Sequence, residues 1–102
     1  MLALKPSCEH CDRDLPADAE DAMICSYECT FCRHCVDVVL LNVCPNCGGG
    51  FCPRPVRPRR QWRTGVSLEQ HPAQQMRTLK PVKVEEHRSF AATLKAMDPR
   101  DR

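Results

Sequence analysis

Nine cysteines lie within residues 8–52 of this 102-residue chain, and their spacing constrains the fold more than any other feature. From Cys8 to Cys52 the series reads C-x2-C-x13-C-x3-C-x2-C-x2-C-x8-C-x2-C-x4-C. A Cys-x2-Cys pair can fold as a knuckle that directs both sulfurs to one tetrahedral Zn²⁺, and a structural zinc site takes four such ligands. The first eight cysteines therefore predict two closed sites and two Zn²⁺ per chain. Pro45 and Gly48 support the last knuckle, because proline presets φ at the start of the turn and glycine tolerates a positive φ at its exit.

Metal ligation is favoured over disulfides by the expected compartment. The opening MLAL is followed at once by Lys5 and Pro6, which is too short for a signal peptide, and the longest later apolar run is VVLL. We therefore expect a cytoplasmic protein without membrane association. In that reducing environment closely spaced thiols bind metals, and an odd number of cysteines fits a disulfide framework poorly.

Two ligand pairings are compatible with eight thiols. A sequential pairing would join Cys8, Cys11, Cys25 and Cys29 at the first metal. A cross-brace would form two interleaved sites from Cys8, Cys11, Cys32 and Cys35 (site 1) and from Cys25, Cys29, Cys44 and Cys47 (site 2). The sequential pattern resembles LIM domains, but their second loop is markedly longer than the eight residues between Cys35 and Cys44. We therefore predict the cross-brace.

The cross-brace pattern over residues 8–47 resembles RING fingers. The segment CTFCRHC, residues 29–35, matches the RING segment in which the fourth ligand precedes an aromatic residue and the next Cys-x2-Cys pair. Apolar residues at i, i+3, i+4 and i+7 predict a short helix after the sixth ligand, with a buried stripe of Val36, Val39, Leu40 and Val43. Residues 22–24 read as a short strand. The resemblance implies a small metal-stabilised α+β fold: a RING-like, treble-clef-type zinc domain with a short hairpin and one short helix.

A more specific resemblance covers the run CEHCDRDLPADAEDAMICSYECTFCRHCVDVVLLNVCPNCGGGFCPRPVRP. It is similar to short bacterial proteins grouped as domain of unknown function 1272, which share this cysteine series and the RP-rich segment after it. The resemblance implies a small zinc-binding protein and brings no activity with it.

Composition divides the chain near Cys52. Residues 1–52, which we call the head, carry three basic and eight acidic side chains, a net charge of −5. Residues 53–102, which we call the tail, carry twelve basic and five acidic side chains, a net charge of +7. The tail is rich in proline and arginine and is predicted to be extended, with a short helix at 89–97 that has Ser89 as its N-cap.

The start of the tail, residues 53–63, contains five arginines and Trp62. Such a segment could hold phosphates and stack on an unpaired base, so nucleic acid is one expected partner. The alternative is that the arm lies across the head's own carboxylates and thiolates, and we favour this interpretation slightly.

Several competing interpretations are less consistent with the residues. An iron–sulfur cluster would leave four thiols without a role. Ubiquitin-ligase activity is disfavoured because Glu9 and His10 occupy the first knuckle, where ligase RINGs carry an apolar residue, and the helix region lacks a tryptophan. His10 and His34 are expected to be exposed rings rather than ligands, His71 and His87 surface residues, and Cys52 a half-buried side chain beside Phe51.

We therefore expect a non-enzymatic zinc protein that acts by binding another protein through its RING-like module. Nucleic-acid binding through residues 53–63 is the first alternative, and ligase-like activity is the second.

Overall fold

The computed structural model describes residues 1–102. It is a small α+β structure with a three-stranded antiparallel sheet and two helices. The elements are β1 (Ala22–Ile24), β2 (Thr30–Cys32), α1 (Arg33–Cys35), which continues as a π-helical segment (Val36–Leu40), β3 (Cys52–Pro53), α2 (Val84–Leu94) and a final 3₁₀ turn (Pro99–Asp101). No helix is long and apolar enough to cross a membrane.

The sheet has the order β2-β1-β3 and confirms the strand predicted at 22–24. β1 and β2 form a hairpin in which Met23 lies opposite Phe31, and β3 pairs with the other edge of β1, where Ile24 lies opposite Cys52. The hairpin turn is closed by the N–H of Cys25, which donates to the carbonyl of Cys29 at 3.2 Å. The sheet therefore holds the middle cysteines next to the start of the tail.

The helix predicted after Cys35 is present, and its apolar stripe faces the core. Val36, Leu40 and Val43 are buried, and Val39 packs against the core cluster. The helix starts two residues before Cys35 and widens into a π-helical turn, in which the N–H of Leu41 donates to the carbonyl of Val36. It ends there because Leu41 has a left-handed backbone, with φ of 56°.

Cysteine makes up half of the core. The main buried cluster has twelve residues, and six of them are Cys8, Cys25, Cys29, Cys32, Cys35 and Cys44. The large apolar side chains at its centre are Phe31, Leu15 and Leu40. The apolar side chains of the head therefore form only a small core, in which the thiols occupy much of the space.

The tail wraps around the head. The backbone N–H of Arg54 donates to Ala22 at 2.9 Å, that of Gln74 to Ala3 at 3.1 Å, and that of Lys80 to Glu9 at 2.7 Å. Between Arg54 and Lys80 the chain has no helix or strand, and bends and turns occupy most of residues 59–71.

Helix α2 begins at Val84 rather than at the predicted Ser89. Glu85 and Glu86 occupy its first turn, where the helix dipole favours carboxylates, and Ser89 lies inside the helix. The buried residues of α2 are His87 and Ala91, one turn apart, whereas Phe90 is 48% exposed. Helix α2 therefore meets the head partly through a buried histidine, while Phe90 and Leu94 lie near Gly48.

Candidate metal centres

The first and last Cys-x2-Cys pairs adopt the same turn. The N–H of Asp12 donates to the carbonyl of Cys8 at 3.0 Å, and the N–H of Gly48 donates to the carbonyl of Cys44 at 2.8 Å. The residue after each pair has a positive φ, 65° at Asp12 and 78° at Gly48. Gly48 thus has the conformation predicted for the exit of a knuckle, and each turn brings its two sulfurs together.

One group of thiols joins the first knuckle to the start of the helix. The Sγ atoms of Cys8, Cys11, Cys32 and Cys35 all lie within 4.8 Å of one another. The Sγ atoms of Cys11 and Cys32 are 3.8 Å apart. Four sulfurs at about 2.3 Å from a tetrahedral Zn²⁺ would be separated by about 3.8 Å, so the group has the dimensions of a four-thiolate site.

A second group joins the last knuckle to the hairpin. The Sγ atoms of Cys25, Cys44 and Cys47 lie within 4.8 Å of one another. The fourth predicted ligand, Cys29, is outside that group, but its thiol interacts with those of Cys25 and Cys44. The side-chain amide of Asn46 donates to the Cys29 sulfur at 3.4 Å. Cys29 therefore borders the second group, and its role as a ligand stays a prediction.

Backbone N–H groups also point at the sulfurs of the second group. Tyr27 donates to Cys25 at 3.3 Å, and Gly49 donates to Cys47 at 3.4 Å. Hydrogen bonds to a sulfur favour its charged form, which is the form that binds metal.

The thiols have perturbed pKa values because they are buried together. Burial is the main cause that raises the pKa of Cys29, Cys32, Cys35 and Cys44, and repulsion between neighbouring sulfurs adds to it. Burial also pushes the pKa of Cys11 upward, but a backbone hydrogen bond at Arg13 and contacts with Cys8, Cys35 and Cys32 hold it below its usual value. Burial alone therefore favours neutral thiols at these positions, and a bound cation would be needed to stabilise them as thiolates.

The two groups interleave along the chain. The hairpin carries Cys25 at the end of β1 and Cys32 at the end of β2, and these belong to different groups. Cys8 and Cys11 precede both strands, whereas Cys44 and Cys47 follow the helix. An all-sulfur donor set suits soft or borderline metals, so both groups could hold a metal ion such as Zn²⁺.

The histidines have different roles from those that the sequence suggested. His87 was expected on the surface, but it is 4% exposed, and its Nε2 lies 2.9 Å from the carbonyl oxygen of Leu40. His10 is half-buried, and its Nδ1 accepts a hydrogen bond from the N–H of Val82 at 3.0 Å. His34 is exposed, as predicted, and His71 is half-buried. None of the four belongs to a thiol group.

Cys52 is exposed in β3 and takes part in neither thiol group. The expectation of a half-buried side chain is wrong because the side chain lies on the outer edge of the sheet.

The arginines of residues 53–63 separate into two sets. Arg54 is 5% exposed and donates to the carbonyls of Lys5 at 2.8 Å, Pro16 at 2.9 Å and Leu15 at 3.4 Å. Arg57 donates to the carbonyls of Leu2 and His71. Arg59 pairs with Asp18 at 3.1 Å, while Arg60 and Arg63 are exposed.

Two residues have structural contacts that the sequence did not indicate. Glu9, inside the first knuckle, is 4% exposed, and its carboxylate accepts hydrogen bonds from the N–H of Thr30 and from Lys5. Arg77 pairs with Asp14 at 2.7 Å and with Asp12 at 3.1 Å, next to the same knuckle. The net charges of head and tail indicated such pairing in general, but not which residues would form it.

Comparison with known proteins identifies the family to which the chain belongs. A family model described as "Protein of unknown function (DUF1272)" matches residues 1–57, a segment that includes all nine cysteines, Arg54 and Arg57. An uncharacterized protein of Rhizobium meliloti is 53% identical over 81 residues, which cover 79% of this chain and 89% of that protein. No solved structure matches the chain. The chain therefore belongs to the DUF1272 family, as its cysteine series and RP-rich segment suggested.

Proposed function

We propose that this protein is a non-enzymatic zinc protein with two structural Zn²⁺ ions, whose RING-like head binds another protein. The observation that carries the proposal is the pair of interleaved thiol groups, one of which has the dimensions of a tetrahedral four-sulfur site. Eight thiolates would close both sites and leave no open coordination position for substrate.

The order of elements around the first group supports a treble-clef type of site. A knuckle supplies Cys8 and Cys11, the β1–β2 hairpin follows and ends at Cys32, and the helix that begins directly after it supplies Cys35. A cross-brace additionally requires Cys29 to complete the second site. The influence of Cys25 and Cys44 on the pKa of Cys29 supports its place beside the second group, and a movement of the hairpin turn would have to bring its sulfur onto the metal.

The surface of the first knuckle supports a structural rather than a ligase-like role. Ligase RINGs present an apolar residue there, but in this chain Glu9 is buried, and its carbonyl accepts a hydrogen bond from the tail. His10 accepts another hydrogen bond from the tail, at Val82. The chain's own tail therefore contacts the knuckle that, by the RING resemblance, a conjugating enzyme would approach.

Large exposed apolar side chains support protein binding by the head. Tyr27 is 77% exposed beside the second thiol group, and Val38 is 61% exposed on the helix. Tyrosine is among the residues that most often anchor protein interfaces, and Val38 adds exposed apolar surface.

Metal analysis tests the first part of the proposal. Protein purified without added metal should contain two zinc ions per chain, and Cys11→Ser and Cys47→Ser should each reduce this to about one. Cys52→Ser is the matched control and should retain both ions, because Cys52 belongs to neither group. Bound iron, or loss of zinc in the control, would contradict the proposal.

The ligand pairing can be read directly. In the cadmium-substituted protein, cadmium–proton correlation spectra identify the cysteine protons coupled to each metal. We expect one metal to be coupled to Cys8, Cys11, Cys32 and Cys35, and the other to Cys25, Cys29, Cys44 and Cys47. A metal coupled to both Cys8 and Cys25 would replace the cross-brace with the sequential pairing.

Protein binding is tested by affinity capture from native cells, with the wild type compared with Tyr27→Ser/Val38→Ser. Because both side chains are exposed, the variant should retain two zinc ions yet lose specific partners. Identical capture by both proteins would exclude this surface.

A further inference from the structure

Residues 58–68, which we call the arginine loop, form a closed and internally bonded loop. The N–H of Leu68 donates to the carbonyl of Pro58 at 2.8 Å and closes the base of the loop. Across the tip, the N–H of Gly65 donates to the side chain of Gln61 at 2.7 Å. Gly65 has a φ of 84°, which a side chain would disfavour. The loop therefore has a defined shape.

The loop is also fixed to the head at its entry. Arg57, just before it, donates to the carbonyl of Leu2 at 2.6 Å, and Arg59 pairs with Asp18 at 3.1 Å. At its other end Ser67 is 1% exposed. These contacts use the two arginines nearest the head and neutralise Asp18.

The tip presents a different set of side chains. Trp62 is 76% exposed, and Arg60 and Arg63 on either side of it are exposed and make no ion pair or side-chain hydrogen bond. A tryptophan left this exposed on an ordered loop forgoes most of its burial energy, which is typical of binding sites. The tip thus combines one flat aromatic face with two unneutralised positive charges.

We propose that the arginine loop is a binding site for single-stranded nucleic acid, with Trp62 stacked on a base and Arg60 and Arg63 at the flanking phosphates. Aromatic side chains within a cationic surface are the usual means of binding unpaired strands without sequence preference. A duplex would hide its base faces from Trp62, and the loop contains no helix to enter a groove. An acidic protein could pair its carboxylates with the arginines, but these carboxylates would give the Trp62 ring no flat surface to stack on.

The structure also narrows the interacting segment. Of residues 53–63, Arg54 and Arg57 are committed to backbone carbonyls of the head, so they are not free for phosphates. The arginine loop contains no cysteine, so the proposal is independent of the one for the metal sites.

The test uses the full chain, in which Trp62 is the only tryptophan, so that its fluorescence reports the loop alone. Oligothymidylate and oligouridylate of about twelve nucleotides should quench this fluorescence at low salt, and comparing them distinguishes DNA from RNA as the preferred strand. With two phosphates neutralised, the logarithm of the binding constant should fall with a slope of about −1.4 against the logarithm of salt concentration.

Variants assign the contacts. Trp62→Ala, followed by anisotropy of a labelled strand, should weaken binding about 5- to 150-fold, the equivalent of about 1–3 kcal/mol per stacked base. Arg60→Ala and Arg63→Ala should each reduce the salt slope by about 0.7. Arg88→Ala is the matched control, since it removes the same charge from α2, where Arg88 pairs with Glu85, and should leave the slope unchanged.

Three outcomes would overturn the proposal: no quenching at low salt, full affinity in Trp62→Ala, or equal binding of polyglutamate. The last would indicate an acidic protein as the partner. Zinc content, measured in every variant, shows that a loss of binding does not come from a loss of metal.

Discussion

Arg54 offers the sharpest test of how the tail is held on the head. The residue is 5% exposed, and its guanidinium donates to three carbonyl oxygens of the head at 2.8, 2.9 and 3.4 Å. Burial lowers the pKa of Arg54, although an arginine remains charged at any physiological pH. Arg54→Met keeps the apolar stem and removes every one of these donors.

The expected loss of stability in Arg54→Met is worked out from the two shorter hydrogen bonds, because the bond at 3.4 Å is weak. Hydrogen bonds from a charged donor are each worth about 1.5–3 kcal/mol, and the orphaned carbonyls of Lys5 and Pro16 add a desolvation cost. The methionine recovers part of this through apolar contact. We expect a net loss of about 3 kcal/mol, or on the order of a hundredfold in the folding equilibrium.

The assay is denaturant unfolding at a zinc concentration fixed by a metal buffer, since metal binding contributes to the measured stability. Arg54→Lys should be intermediate, because an ammonium cannot reproduce the planar fork of donors. Arg60→Met is the matched control and should change stability by less than about 0.5 kcal/mol, as Arg60 is exposed. If Arg54→Met were as stable as Arg60→Met, the buried guanidinium would not hold the tail in place.

Three further predictions concern the metal centres and α2. Gly48→Ala should lower the stability of the head by about 1–2 kcal/mol, because a residue with a Cβ is strained at the φ of 78°, whereas the nearest side chains are no closer than 3.5 Å and add no clash. Unfolding induced by a chelator measures this loss, and an unchanged unfolding midpoint would contradict the prediction. Zinc affinity should fall as the pH falls, since burial raises the pKa of Cys35 and Cys44 and these thiols must release protons to bind metal. Competition with a chromogenic chelator at pH 6 and pH 8 measures the two affinities, and equal values would argue against thiolate ligands. His87→Leu should remove the hydrogen bond to the carbonyl of Leu40 and speed amide hydrogen exchange in α2 by roughly tenfold, while two zinc ions stay bound. Unaltered exchange would mean that this contact does not hold the helix on the head.

The local features of the head were predictable because short-range rules determine them. Cys-x2-Cys spacing predicts knuckles, the apolar stripe predicts the helix after Cys35, and the position of Gly48 predicts a positive φ. The same reasoning predicted a closed second set of thiols, but Cys29 lies beside its group. A turn of three residues between Cys25 and Cys29 leaves the direction of that sulfur to the local backbone, and spacing alone does not determine it.

The contacts between tail and head were not predictable from the sequence. The burial of Arg54 depends on carbonyls from residues 5, 15 and 16 converging at one point, and no local pattern encodes that convergence. His87 looked like an isolated surface residue because its partner is a backbone oxygen, which has no sequence signal. Charge asymmetry correctly indicated attraction between the two segments, yet several of the strongest contacts use backbone acceptors rather than carboxylates.

The successive anchors of the tail set the order in which it can dock. Closing the 72-residue loop between His10 and Val82 in one step would cost roughly 4 kcal/mol of chain entropy. With Arg54, Arg57, Gln74 and Lys80 anchored in turn, each new step closes only a short loop, at roughly 1–2.5 kcal/mol. The tail should therefore dock on the head in order from Arg54 toward α2 and dissociate in the reverse order. On warming, α2 should detach first.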